Sequence, residues 1–105
     1  MTTEKQLVES IRLAIDREYP DAWVFKVHGG PYQRVGVPDL LVCVQGLLVG
    51  LEVKHQKPGE SEAHARGRVT ASQQDQIDKI VRAGGYAREV LTVEEAMEAI
   101  RTVLQ

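Results

Sequence analysis

Two carboxylates and an amine fall at spacings that would bring them to one point: Asp39, which follows Pro38, and Glu52 and Lys54 on either side of Val53. Leu40 to Val44 and Leu47 to Val53 are apolar runs separated by Gln45-Gly46, a pattern that predicts a hairpin with a two-residue turn. Val44 then pairs with Leu47, and the ladder sets Asp39 across from Glu52. Directly opposed residues have Cβ atoms about 4.5–5.5 Å apart, and strand alternation adds Lys54 to the face of Glu52. Like charges opposed across a ladder destabilise it, so the pair calls for a compensating cation. Mg²⁺ held through one or two carboxylates, with several waters retained, is the usual solution. The chemistry implied is metal-dependent hydrolysis of a phosphodiester. Asp39 and Glu52, with the Val53 carbonyl, would hold one or two metals that polarise the scissile phosphate and lower the pKa of a bound water. Lys54 would position or deprotonate that water, or neutralise charge growing on phosphorus. Pro38 fixes the chain entering the strand and donates no ladder bond. A lone Glu-x-Lys says little. Its weight here comes from the register and from strands otherwise too apolar for charge.

The elements that must position these residues follow from period and punctuation. Thr3 to Tyr19 has a helical stripe of Leu7, Val8, Ile11, Ala14 and Ile15, with Thr2 or Thr3 as cap and Pro20-Asp21 as stop. Trp23 to His28 alternates as a strand, with Trp23, Phe25 and Val27 on one side, before His28-Gly29-Gly30-Pro31 breaks it. The hairpin strands are apolar on both faces away from the acidic end, which implies a sheet covered on both sides. Lys54 to Val69 is polar and long for a connection, so it is expected to be a mobile functional loop. A second helix is predicted over Ser72 to Ala83, with Ile77, Ile80 and Val81 inward and Gly84-Gly85 beyond its end. A short strand, Tyr86 to Leu91, precedes a last helix opened by the capping box Thr92-Val93-Glu94-Glu95. The expected order is α-β-β-β-α-β-α, an α/β fold in one domain spanning residues 1–105.

Composition is that of a globular protein, with 43% hydrophobic and 27% charged residues. The net charge of −2 runs against nucleic-acid binding, which more often shows as excess Lys and Arg, although local patches matter more than the total. Cys43 is the single cysteine, so no intrachain disulfide forms. No apolar run approaches the roughly 20 residues needed to span a bilayer, and a cytoplasmic location is expected.

Gly36-Val37-Pro38-Asp39-Leu40, then Glu52-Val53-Lys54, then Gln73 and Ala83-Gly84-Gly85, together resemble the VRR-Nuc (virus-type replication-repair nuclease) group of the PD-(D/E)xK nuclease superfamily. The resemblance runs from the first helix to the strand after Gly85. It implies a restriction-endonuclease-like core of mixed sheet flanked by helices, and a Mg²⁺- or Mn²⁺-dependent DNA endonuclease. Small stand-alone members, often from phages, are similar to Holliday junction resolvases and act as homodimers, so branched DNA and a second copy are the implied partners. Self-association would use the last helix, through Met97, Ile100 and Leu104, or the Lys54–Val69 loop.

The resemblance also implies a first-helix Glu completing the metal site. Glu4 lies on the inward stripe three, four and seven residues before Leu7, Val8 and Ile11, whereas Glu9 lies nearly opposite Ile11. First-turn charge beside the helix dipole explains Glu4 as simply. Gln73 shares a face with Ile77 and, by the resemblance, would steady Lys54 or a phosphate; position N3 of a capping box with Thr70 accounts for it equally well. Gln76 is a weaker rival. Arg34, Lys57, Arg66 and Arg68 lie in the two loops flanking the acidic end, and with His28 they would form a rim that tracks a DNA backbone. A solvated charged loop is the plainer reading. The three histidines have no metal-ligand spacing. A catalytically idle relative of the same fold, serving as a binding or assembly module, should have lost Asp39, Glu52 or Lys54, and all three are present.

Overall fold

The structure, a computed structural model, describes residues 3–31 and 34–105. Its elements are α1 (Glu4–Glu18), β1 (Trp23–Lys26), β2 (Leu40–Val44), β3 (Leu47–Val53), α2 (Glu62–Arg66), α3 (Ala71–Arg82), β4 (Tyr86–Val90) and α4 (Val93–Leu104). The strands form one mixed sheet in the order β1-β2-β3-β4. β1–β2 and β2–β3 are antiparallel, and β3–β4 is parallel. The α/β architecture follows the expectation, with one helix added: α2 falls within the segment read as a loop, so the order is α-β-β-β-α-α-β-α.

The register of the central hairpin is the one anticipated. Val44 faces Leu47 and Leu40 faces Leu51, with Gln45 and Gly46 both at positive φ, 51° and 78°. Two residues in that conformation make the turn whose twist matches the strands. Alternation sends Leu40, Val42 and Val44 of β2 and Val49, Leu51 and Val53 of β3 to one face, where they meet Ile11 and Ile15 of α1 and Ala96 and Ile100 of α4. Each fully buried Leu or Ile there contributes about 1.5–3 kcal/mol. Met97 and Ile100 are buried in this core, which removes them from any surface α4 could offer a second copy.

The opposite face is covered in part only. Helix α3 packs on β3 and β4, and its approach depends on Gly50, where a Cβ would meet Ile80 and Pro38 at 3.1 Å. It does not roof β1 and β2, so the expectation of a sheet covered on both sides holds for half of it. Trp23 and Phe25 are exposed, and Val81 of α3, expected inward, is also exposed. Helix starts follow their caps. Thr3 and Thr70 close full capping boxes with Gln6 and Gln73, while Thr2 lies outside the described residues. At α4 the box is half-formed: Thr92 accepts the Glu95 N–H, but the Glu95 carboxylate turns to the Leu91 N–H at 2.8 Å. Among the described residues no helix is long and apolar enough to cross a membrane.

Candidate active site at the acidic end of the hairpin

One residue beyond the Leu40–Leu51 pair, the ladder reaches Asp39 and Glu52. The backbone here is held from both sides, because the Asp39 carbonyl accepts the Val27 N–H at 2.9 Å. The Asp39 carboxylate accepts the Val53 N–H at 2.8 Å. Pro38, fully buried, anchors the approach. Gly36, at φ 88°, passes so close to α3 that a Cβ would fall 2.4 Å from the Ser72 carbonyl oxygen. The loop before Asp39 and the start of α3 are therefore locked together at this point.

Glu52 is nearly enclosed, at 3% exposure. Burial first, then the charge of Asp39 and a hydrogen bond shared with it, push the Glu52 carboxyl up to about 8, while Lys54 pulls the other way. Lys54 lies on the same side, with Nζ 3.7 Å from Glu52 Oε2. From α3, Gln73 donates its amide nitrogen to Glu52 Oε2 at 3.2 Å, and its side-chain oxygen accepts the Thr70 N–H at 2.9 Å. Gln73 thus completes the cap of α3, and its amide bonds Glu52 rather than Lys54. Gln76 makes no such contact.

Glu4 is brought to the same end of the sheet. It accepts the His55 N–H at 3.3 Å and adds its charge to those that raise Glu52. Among the described residues no three His, Cys, Asp or Glu side chains are gathered as a ready-made ion site. Glu9 is directed elsewhere, paired with Arg12 at 2.6 Å, and that hydrogen bond lowers its pKa.

The flanking cations divide into two groups. Arg34 lines a cleft of about 230 Å³ with Gly29, Gly30 and Asp39, directly beside the site. His28 is exposed two residues beyond β1, and Lys57, in the segment between β3 and α2, lines an open pocket with His64. Arg66 is occupied instead: its guanidinium bonds Glu62, Glu89 at 3.3 Å and Glu95, tying α2 to β4 and α4. Arg68 is also held, by Glu60 at 2.9 and 3.0 Å and by the His55 carbonyl at 2.5 Å. Arg66 and Arg68, both expected in the rim, are thus paired with carboxylates of the protein itself. These ties also correct the expectation of a loose loop. Glu60, with its side chain 7% exposed, gathers Arg68, the Lys57 N–H and His64, and these hold its carboxyl well below the usual range. Sequence reading missed Glu60, whose signal was the i, i+4 spacing Glu60–His64.

Comparison with known proteins bears on the fold. No family model matches the sequence, and no curated protein matches it. Among solved structures, one described as a "VRR_NUC domain protein" superposes with a TM-score of 0.70 over 98% of this chain and 88% of its own, at 15% identity. A second, described as a "VRR_NUC domain", gives 0.58 over 95% of this chain and 97% of its own, at 17% identity. At such identities the likeness is one of architecture, and the chain has the fold of these VRR_NUC domain proteins across nearly its whole length.

Proposed function

We propose that this chain is a Mg²⁺- or Mn²⁺-dependent endodeoxyribonuclease that hydrolyses phosphodiester bonds in branched DNA as a homodimer. The observation that carries the reading is the contact between Asp39 and Glu52, two carboxylates set together at a buried strand end with one lysine against them. With both ionised, such a pair is unfavourable without a cation, and its donor chemistry fits a hard one. Two carboxylates and the Val53 carbonyl would hold the ion, with water filling the remaining positions as Mg²⁺ prefers. When bound, the metal supplies Lewis acidity toward the phosphate and lowers the pKa of a coordinated water.

The chain's own residues supply the rest. The Val53 N–H fixes the rotamer of Asp39. Gln73 holds one oxygen of Glu52. Lys54 carries an ammonium to the spot where negative charge develops on phosphorus, in a setting where such a charge acts more strongly than in water. Arg34, which lines a cleft with Asp39, would take a backbone phosphate, and Lys57 and His28 would extend that rim.

The deciding experiment incubates the pure protein with linear, flapped and four-way DNA in Mg²⁺, Mn²⁺ or EDTA. Cutting with either metal and none in EDTA is expected, fastest on branched substrates. No cutting of any substrate would leave a binding module of the same fold. Light scattering with and without four-way DNA tests the dimer.

A further inference from the structure

The strand registers extend the site into a neighbouring surface of the same sheet face. Phe25 lies opposite Leu41 and Trp23 opposite Cys43, while Gly50 and Leu48 flank the same two residues from β3. Leu41 is two residues from Asp39, and Gly50 two from Glu52, so alternation puts all of them on the face that carries the carboxylates. The face is roofed from Gly50 onward by Ile80 of α3. From Leu41 to β1 it is open, with Trp23 57% and Phe25 43% exposed, and Leu48 of β3, opposite Cys43, is 38% exposed. The two aromatic rings stand stacked, with centroids 5.6 Å apart and planes 6° from parallel. They are the chain's single Trp and single Phe, and neither belongs to the packed core on the other face.

From these placements we infer that the open strip is a base-stacking platform for a single-stranded DNA segment running to or from the site, with Phe25 and Trp23 each taking a base. The inference rests on the nuclease reading for what the segment leads to, and on the surface alone for its binding. At about 3.4 Å per strand residue, Phe25 stands about 7 Å and Trp23 about 14 Å along the sheet from the Asp39 row. With stacked nucleotides about 3.4 Å apart, that is roughly two to four nucleotides from the cut. Exposed aromatics on a sheet present π-faces to any base without selecting among them. Arg34 stands at the near end, and Lys79, beside Leu48 at the far end, forms an exposed pair with Asp75 at 3.0 Å that a phosphate could replace. Continuity with the site favours nucleic acid over a second copy of the chain, since a partner seated on this strip would stand over the approach to Asp39 and Glu52.

Trp23 reports its own occupancy. The 105-residue chain in EDTA is titrated with short oligothymidylate while tryptophan emission is followed. Saturable quenching is expected for the wild type. Phe25→Leu, which keeps the site apolar and strand-compatible, should weaken binding roughly fivefold or more, and Phe25→Tyr should restore it. Absence of quenching, or an affinity unchanged by Phe25→Leu, overturns the platform. A dimer that dissociates on Phe25→Ala without any quenching by DNA overturns it in favour of self-association. Quenching without cleavage of any substrate leaves the platform standing and removes the nuclease reading, so the two fail separately.

Discussion

Gln73 faces Glu52 with its nitrogen because Thr70 holds its oxygen: the amide accepts the Thr70 N–H at 2.9 Å and donates to Glu52 Oε2 at 3.2 Å. The cap of α3 thus determines which end of the amide the site sees. Gln73→Glu keeps an acceptor for Thr70 but sets a third carboxylate against Asp39 and Glu52. Turnover should fall at least tenfold with the helix intact by circular dichroism. Gln73→Ala should instead lose about 1 kcal/mol from the broken cap, together with part of the activity. Equal rates for Gln73→Glu and wild type would show that the contact with Glu52 has no part in the reaction.

Asp39→Asn removes one ligand charge and the repulsion that helps raise Glu52. Cleavage should drop about a hundredfold or more, given the several kcal/mol a bound metal supplies. Urea unfolding without metal should show equal or greater stability than wild type. A folded variant that still cuts well excludes Asp39 from the site.

Lys54→Ala should keep Mn²⁺ affinity within a fewfold while single-turnover cleavage falls at least a hundredfold, because a cation near developing charge acts mainly in the transition state. Calorimetry beside rapid-quench kinetics makes the comparison. Normal cutting would reduce Lys54 to a charge that merely accompanies Glu52.

The raised Glu52 pKa carries a sign. The folded state keeps a proton between the ordinary carboxylate range near 4.5 and about 8, where the unfolded chain has released it. Metal-free stability should therefore decline as pH rises through that window, by up to about 1.4 kcal/mol per pH unit, and level off above it. Glu52→Gln should flatten the decline, and so should saturating Mg²⁺, which selects the ionised form. Glu60 has the reverse sign. Its pKa is depressed by Arg68, the Lys57 N–H and His64, so the order it gives the loop is present above about pH 4.5 and lost as pH falls further. Amide exchange at Lys57 should speed up in acid earlier than exchange in β3 does.

What was legible beforehand was local or governed by register. A two-residue turn leaves no freedom in pairing, so Gln45-Gly46 was enough to place Asp39 beside Glu52, and side-chain alternation placed Lys54. Helix α2 was not legible, because Glu62–Arg66 has only Ala65 buried and no periodic stripe to read. Arg66 looked like a free cation because two of its partners, Glu89 and Glu95, lie 23 and 29 residues away. Trp23 and Phe25 alternate as a core strand would. Which face receives a helix depends on how α3 docks, and that is decided by Gly50 and Ile80 rather than by β1.

The lock between Gly36 and Ser72 bears on how the molecule comes together. The hairpin can form by itself, since its pairs are close in sequence, but the contacts around Glu52 cannot. Glu4 with His55, Gln73 with Glu52 and Gly36 with Ser72 all join distant segments, and long loops closed against chain entropy are slow steps. The hairpin alone brings Asp39, Glu52 and Lys54 into register, but without Glu4, Gln73 and the Gly36–Ser72 approach the acidic end is not enclosed. A nascent or partly refolded protein would hold the strands but lack the means to cut, and recovery of cleavage would trail recovery of sheet signal.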